Sequence, residues 1–322
     1  MREEKKGETA NIMIAQQLHI APLQADDLAL SPLWAEIATI LPGNNLDRQT
    51  SLLLLQENAR SNQGLVLRRG EHIYAFLIYN IKGVTCRINF AYAESAYHPD
   101  ILLHHLFAGL IALARADKNI SSLRCDIVSW FPECIRQAMA SNGFTKVERL
   151  LMRREKEMPQ EACRLPSGIR LVNWESWLIK PATEMLYFIF GNGYEASWDR
   201  SLSDFAGCRQ FIAEACSGRF GFFDPKISFA LQFQNMWVGL ALASWDQNGE
   251  GFIPSFGLLP NFVGQGLGGA MLHTLLHRYG SSTFPPTAIE LAVSEENRPA
   301  VKLYHNYDFK IKSRFKVYYL NI

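Results

Sequence analysis

From residue 64 onward the chain alternates between two hydrophobic periods. Apolar residues at every second position mark strands in "ISFALQFQN" (227–235), "MWVGLALASW" (236–245) and "GFIPSFGLL" (251–259), with the polar turn "DQNGEG" before the third. Apolar positions three and four apart follow in "GGAMLHTLLHRYG" (268–280), which predicts a helix of about four turns. A strand at 287–294, a short helix at 297–307 and a strand at 309–320 complete this half. Ahead of it lie a strand at 167–174, a helix at 176–192 with Pro181 in its first turns, and a loop with a second helix between 193 and 221.

The first half repeats that plan. "GLVLRRGEHIYAFLIYNIKGVTCRINFAYA" (64–93) reads as a strand meander, 100–117 as a helix, 121–130 as a strand, and 132–155 as helix, turn and strand. Sliding the chain so that Phe144 meets Phe309 aligns "ASNGFTKVERLLM" with "YHNYDFKIKSRFKVY". The expectation is two copies of one α/β (α+β) architecture, residues 1–160 and 161–322, joined near 155–168. In that register Gly266 and Gly268 fall opposite Ile101 and Leu103, Asn297 opposite Pro132, and Tyr304 opposite Met139. A site present in one copy only therefore belongs to the second.

Composition narrows the classes. The 322 residues are 48% apolar and 20% charged, a globular balance, and the formal net charge of +1 argues against an electrostatic grip on nucleic acid. No uninterrupted run of about 18 apolar residues predicts a membrane span. The start, "MREEKKGETANIMIAQQ", has no apolar core of signal-peptide length. Cys86, Cys125, Cys134, Cys163, Cys208 and Cys216 show no metal spacing, so reduced thiols in a cytoplasmic protein are expected, with no metal site.

Four glycines fall within six residues, Gly264, Gly266, Gly268 and Gly269, at the start of the predicted helix. Helix-start N–H groups lack intrahelical partners, and bare backbone lets a phosphate approach them. The same glycines also suit tight packing of helix on sheet, and the residues leave both readings open. "GQGLGG" satisfies the GxGxxG dinucleotide pattern, but Glu295 and Glu296 lie slightly far for the ribose-binding acid, and the preceding strands form a meander. No Lys-Ser or Lys-Thr follows, which excludes a Walker loop.

Three blocks in order, "LLPNFVGQGLGGAML", "IELAVSEEN" and "NRPAVKLYHNYDF", make this half resemble the GNAT superfamily of acyl-CoA-dependent N-acyltransferases. The blocks cover about 65 residues, and the strand order carries the likeness over 167–322. The resemblance implies two tandem GNAT-like domains, each a mixed, mainly antiparallel central sheet flanked by helices, the first of them degenerate. It implies acetyl-CoA as cofactor, held by Leu258, Val263, Gly264, Gln265, Gly266, Leu267, Gly268 and Gly269, with Asn297 bonding the cofactor arm or the local backbone. It implies direct transfer to an amine, with the Leu258 N–H directed at the thioester carbonyl and Tyr304 protonating the departing thiolate. A phenol pKa of about 10 lies close enough to that of a thiol for the transfer to be nearly balanced. Glu250 is the candidate base, with Asp246 as the alternative, and each also reads as a solvated turn residue. Glu195 and Asp199 lie where the family builds its acceptor pocket, and each reads equally as a loop residue. Val263 stands where the family prefers Arg or Gln, and Asp308 where it has glycine, a position at which Asp tolerates a left-handed turn.

The acceptor class is a small-molecule or peptide amine, with neither nucleic acid nor membrane as partner, and a homodimer is left open. A non-catalytic acyl-CoA sensor is the rival reading.

Overall fold

The computed structural model describes residues 18–24, 27, 33–41, 45–127, 132–155 and 157–322. Residues 1–17, whose sequence lacks an apolar core of signal-peptide length, and residues 128–130 of the strand expected at 121–130 lie outside the described residues. The chain divides into two compact units, Met1–Lys146 with Lys316–Ile322, and Val147–Phe315.

The first unit contains β1 (His19–Pro22), α1 (Leu33–Ile40), α2 (Asn45–Ser61), β2 (Gln63–Arg69), β3 (His72–Lys82), β4 (Thr85–Ala93), α3 (Pro99–Ala116), β5 (Ser122–Ile127) and α4 (Glu133–Ser141). Strands β1 to β4 form an antiparallel meander, while β4 and β5 pair parallel from Thr85↔Ser122 to Ile88↔Cys125. Residues 316–321 then pair antiparallel with β5 as the sheet's last member. Helix α3 is long and apolar enough by composition to cross a membrane, yet it places Leu103, Leu106, Phe107 and Leu110 in the core of this unit. Those residues recur at three- and four-residue spacing, as a helix lying on a sheet requires.

The second unit takes up β6 (Thr145–Arg154) from Val147 and continues through β7 (Ile169–Asn173), α5 (Ile179–Phe190), α6 (Tyr194–Trp198) and α7 (Phe205–Cys216). Then follow β8 (Phe222–Phe223), β9 (Phe229–Phe233), β10 (Met236–Trp245), β11 (Gly251–Leu258), α8 (Leu267–Gly280), β12 (Ile289–Ser294), α9 (Arg298–Asn306) and β13 (Lys310–Asn321). The sheet order is β6-β12-β11-β10-β9-β7, with β8 on β10. All neighbours are antiparallel except β11 and β12. In the Phe144/Phe309 register the bounds of α4 and α9 coincide. Each unit thus repeats the order of meander, helix, parallel strand and short helix. The strand that closes each sheet is a segment that a cut at residue 160 would give to the other copy: 147–154 pairs with β12, and 316–321 with β5.

One irregularity opens the second sheet. Between Phe252 and Ser255 strand β11 advances three residues while β10 advances two, from Ser244 to Leu242, so β11 carries a bulge that contains Pro254. Proline has no N–H to donate and is tolerated within sheets at such bulges. The parallel β11–β12 ladder runs from Gly251↔Ile289 to Ile253↔Leu291 and ends there. Beyond it β11 stays with β10 to Leu258 while β12 stays with β6 to Ser294. The two strands diverge into a wedge at their C-terminal ends. Below it, the buried Tyr279 of α8 donates its hydroxyl to Phe252 O at 2.7 Å and Ser244 O at 3.1 Å, fixing the helix on the paired part of the sheet.

Candidate functional site

The chain leaves β11 through a short helical turn, Pro260–Phe262, and enters the glycine segment. Gly264 and Gly266 have φ of 82° and 79°, in the left-handed region that side chains disfavour. A Cβ placed on either would meet no protein atom within 4 Å. Packing does not demand glycine there; the backbone conformation does, and it faces open space. Gly268 and Gly269 differ: their Cβ positions lie 3.5 Å from Leu303 and 3.1 Å from Tyr307 Oη. Tyr307 also donates to Gly269 O at 2.7 Å, tying α8 to α9. Packing on α9 thus accounts for Gly268 and Gly269, and a left-handed backbone beside open space for Gly264 and Gly266.

Gly266 is the N-cap of α8 and no side chain caps the helix. Its first N–H groups, with Gly264, Gln265 and Leu267 beside them, form an exposed concave backbone of the kind that accepts an anion. A diphosphate fits this cradle, because the atoms that would fill it are the Cβ atoms that glycine lacks. The Gln265 side chain is turned back to Asn261 O at 2.8 Å, and Val263 is 55% exposed, so backbone rather than side chains offers the donors.

The wedge supplies one more donor. Gly251 N–H bonds Ala288 O, just ahead of β12, whereas Leu259 N–H bonds Val238 O of β10, both at 2.9 Å. Residues of equal parity face the same side of a regular strand, so the bulge has switched the alternation between them. Leu258, next to Leu259, therefore turns its N–H away from β10 and into the wedge.

Across it stands Tyr304, buried on α9, with its ring 6.2 Å from that of Phe256 and 5.8 Å from that of Phe309. Burial raises its pKa above the ordinary phenol value; the charge of Glu195 adds to the rise and that of Arg149 opposes it. The hydroxyl is held in its proton-bearing form. Asn297 positions the helix: its Oδ1 accepts from Ala300 N at 3.3 Å, and its own N–H donates to Ser294 O at 3.0 Å. Its oxygen thus serves as the N-cap of the tyrosine's helix, the local backbone contact that was one of the two roles expected of it. Asp308 takes the left-handed turn, with φ 63°.

Glu250 is not brought to this end. It precedes Gly251 at the start of β11, and at about 3.3 Å per residue the strand separates that end from Leu258 by about 23 Å. There Arg153 grips both of its carboxylate oxygens, with Nη2 2.6 Å from Oε1, and Nη1 also donates to Glu290 at 2.6 Å. Hydrogen bonding from Arg153 lowers the Glu250 pKa. Asp246, the alternative, accepts the Asn248 and Glu250 N–H groups at 2.8 Å and shapes the turn. As a base Glu250 is corrected: it is an ion-paired strand-end residue. Glu250→Gln is expected to cost about 1 kcal/mol of stability at neutral pH. A lowered native pKa stabilises the fold above the unfolded carboxyl value, near 4.3, and that contribution fades as pH falls through the native one. Urea midpoints of both proteins at pH 7 and pH 3 should therefore converge at the lower pH.

At the open end Glu195 meets a residue that the sequence did not reveal. Arg149 on β6 faces Ser294, the last residue of β12, and its Nη1 lies 3.0 Å from Glu195 Oε2 and 3.4 Å from Ser294 Oγ. Its guanidinium carbon stands 5.0 Å over the Trp198 ring. Glu195 and Trp198 both belong to α6. Arg149 sits in no chemical motif, and only the β6–β12 pairing brings it here. Asp199, by contrast, accepts from Ser201 N at 3.2 Å and shapes the following turn.

Residues 186–309 match the model described as the Acetyltransferase (GNAT) family. None of the curated proteins compared matches the chain. Among solved structures, a GCN5-related N-acetyltransferase from Sphaerobacter thermophilus aligns over 95% of this chain and 96% of its own, with TM-score 0.59 and 18% identity. A tandem GNAT protein from the clavulanic acid biosynthesis pathway aligns over 94% and 98%, with TM-score 0.50 and 15% identity. A glucosamine N-acetyltransferase region of a fungal multi-domain GH3 β-N-acetylglucosaminidase aligns over 94% of this chain and 38% of its own, with TM-score 0.55 and 10% identity. At these identities the likeness is one of fold.

Proposed function

We propose, from the match of residues 186–309 to the Acetyltransferase (GNAT) family model and the fold shared with a tandem GNAT protein, that the protein transfers an acetyl group from acetyl-CoA to an amine at one site in the second unit. One observation carries this reading: the uncapped glycine turn, the Leu258 N–H and the Tyr304 hydroxyl are gathered at the end of the sheet where β11 and β12 part. A sensor of acyl-CoA would need the first of these and has no use for a buried phenol.

Acetyl-CoA, when bound, supplies an acyl group on sulfur that is open to attack by a neutral amine. The backbone from Gly264 to Gly269 holds the diphosphate with N–H donors and the positive end of α8. The Leu258 N–H donates to the acyl oxygen as negative charge develops on it. Tyr304 gives its proton to the departing sulfur. Its raised pKa does not disqualify it, because the burial that disfavours a phenolate disfavours a thiolate at the same place. The Phe256 and Phe309 rings beside it keep water from that proton. The first unit, with Met139 opposite Tyr304 and Ile101 opposite Gly266, is proposed to be catalytically silent. Six free thiols suit a reducing, cytoplasmic setting.

Calorimetric titration of acetyl-CoA into the full chain is expected to give one site per chain. Two equivalent sites would assign the first unit a cofactor of its own, and no binding would overturn the reading.

A further inference from the structure

Two opposite charges are withdrawn from water beside the wedge. The side chains of Arg149 and Glu195 are only 15% and 12% exposed. Desolvation offsets much of the attraction in such a pair, so stability alone is a weak reason for it. Its location gives a better one. Ile189 and Phe190, at the end of α5, lie over β11, and a Cβ on Gly257 would come within 2.7 Å of Ile189. Gly193 N–H, at the start of α6, bonds Phe190 O at 2.9 Å. Helix α6 is thereby fixed at the same strand end that presents Leu258. From the other side, Arg149 is fixed by the β6–β12 ladder opposite Ser294, whose carbonyl accepts the Asn297 N–H at the start of the tyrosine's helix. The charges of Glu195 and Arg149 both act on Tyr304, so the carboxylate lies within electrostatic reach of the phenol.

We infer that Glu195 is the catalytic group that receives the acceptor amine's proton, with Arg149 as the positioning residue that holds its carboxylate from strand β6; this rests on the acetyl-transfer reading above. The amine nitrogen bonds to the acyl carbon, and its proton passes to the Glu195 carboxylate. The carbon–sulfur bond breaks, its electron pair stays on sulfur, and sulfur takes the Tyr304 proton. The carboxylic acid and phenolate so formed return to their starting states when a proton moves from the first to the second. The site thus holds an acid and a base, and the base comes from the helix connection next to the acceptor rather than from β11.

The test follows thiol release from acetyl-CoA with n-butylamine as acceptor probe, on the full chain. In parallel, calorimetry gives the acetyl-CoA affinity, and the ultraviolet thiolate band titrates the thiol of bound CoA. Glu195→Gln is expected to slow release about 100-fold, with acetyl-CoA affinity unchanged and with Glu195→Asp recovering part of the rate. The bound thiol's pKa should fall by about one unit as a neighbouring negative charge is removed. Arg149→Lys should retain more rate than Arg149→Leu. If Glu195→Gln fails to fold because the buried Arg149 charge loses its carboxylate, Glu195→Gln/Arg149→Leu removes both charges and is expected to be equally slow. Equal thiol release by wild type and the Glu195 variants, zero included, overturns the inference, as does an unmoved thiol pKa. Wild type that binds no acetyl-CoA overturns the acetyl-transfer reading itself. Wild type that binds and turns over beside an unimpaired Glu195→Gln overturns only the role of Glu195.

Discussion

Tyr304→Phe is expected to lower kcat for acetyl transfer about 100-fold or more while leaving the acetyl-CoA dissociation constant within about threefold of wild type. The phenol stands against Phe256 and Phe309, rings that a phenylalanine at 304 would continue to pack against, so the fold should be undisturbed. What disappears is the proton proposed to pass to the departing sulfur. Because burial keeps the hydroxyl protonated above the ordinary phenol range, wild-type activity should not decline on the alkaline side through loss of this proton below about pH 10. Steady-state rates, with calorimetric binding measured in parallel, separate the two parameters. A variant of unchanged kcat removes Tyr304 from the chemistry.

Gly266→Glu is expected to weaken acetyl-CoA binding about 100-fold or more and to lower the melting temperature only slightly. A side chain at φ 79° carries a backbone cost of about 1–2 kcal/mol. Because a Cβ there meets no protein atom within 4 Å, no internal clash adds to that cost. The lost affinity would therefore report on the ligand alone, through a carboxylate set where a diphosphate belongs. Gly266→Asn is the control. Asn accepts the left-handed conformation and brings no charge, so it should bind more tightly than the Glu variant. Equal affinity of wild type and Gly266→Glu would move the cofactor away from this turn.

The architecture was legible wherever hydrophobic period is strong. The meander strands, α8 and α9 all fall where the spacing puts them, and the Phe144/Phe309 register anticipated the coincidence of α4 with α9. Little could be read before residue 63. In α2 four consecutive leucines, Leu52 to Leu55, define no single helical face, and the four-residue β1 is too short to show alternation. Within the site, the glycines announced a helix start, but only the built backbone separates Gly264 and Gly266, which face open space, from Gly268 and Gly269, which pack on α9. Glu250 misled because nearness to β11 in sequence says nothing about which end of the strand does chemistry. Arg149 was invisible for a different reason. Its partners Glu195 and Ser294 are far along the chain, and a pair formed across a sheet ladder leaves no local pattern. Pro254 was the overlooked signal. A proline inside an otherwise regular strand marks a bulge, and this bulge is what parts β11 from β12.

The strand assignment described for the two sheets also bears on the order in which the chain can mature. Ribosomal synthesis delivers the first unit up to Lys146 and then the whole of the second before residues 316–321 emerge to pair with β5. Throughout that interval the outer edge of β5 lacks its native neighbour, the condition under which a nascent sheet is most open to wrong partners. The second unit has no such delay, since β6 is made before any other strand of its sheet. The second unit can thus be completed first, while the sheet of the first is closed only when residues 316–321 pair with β5.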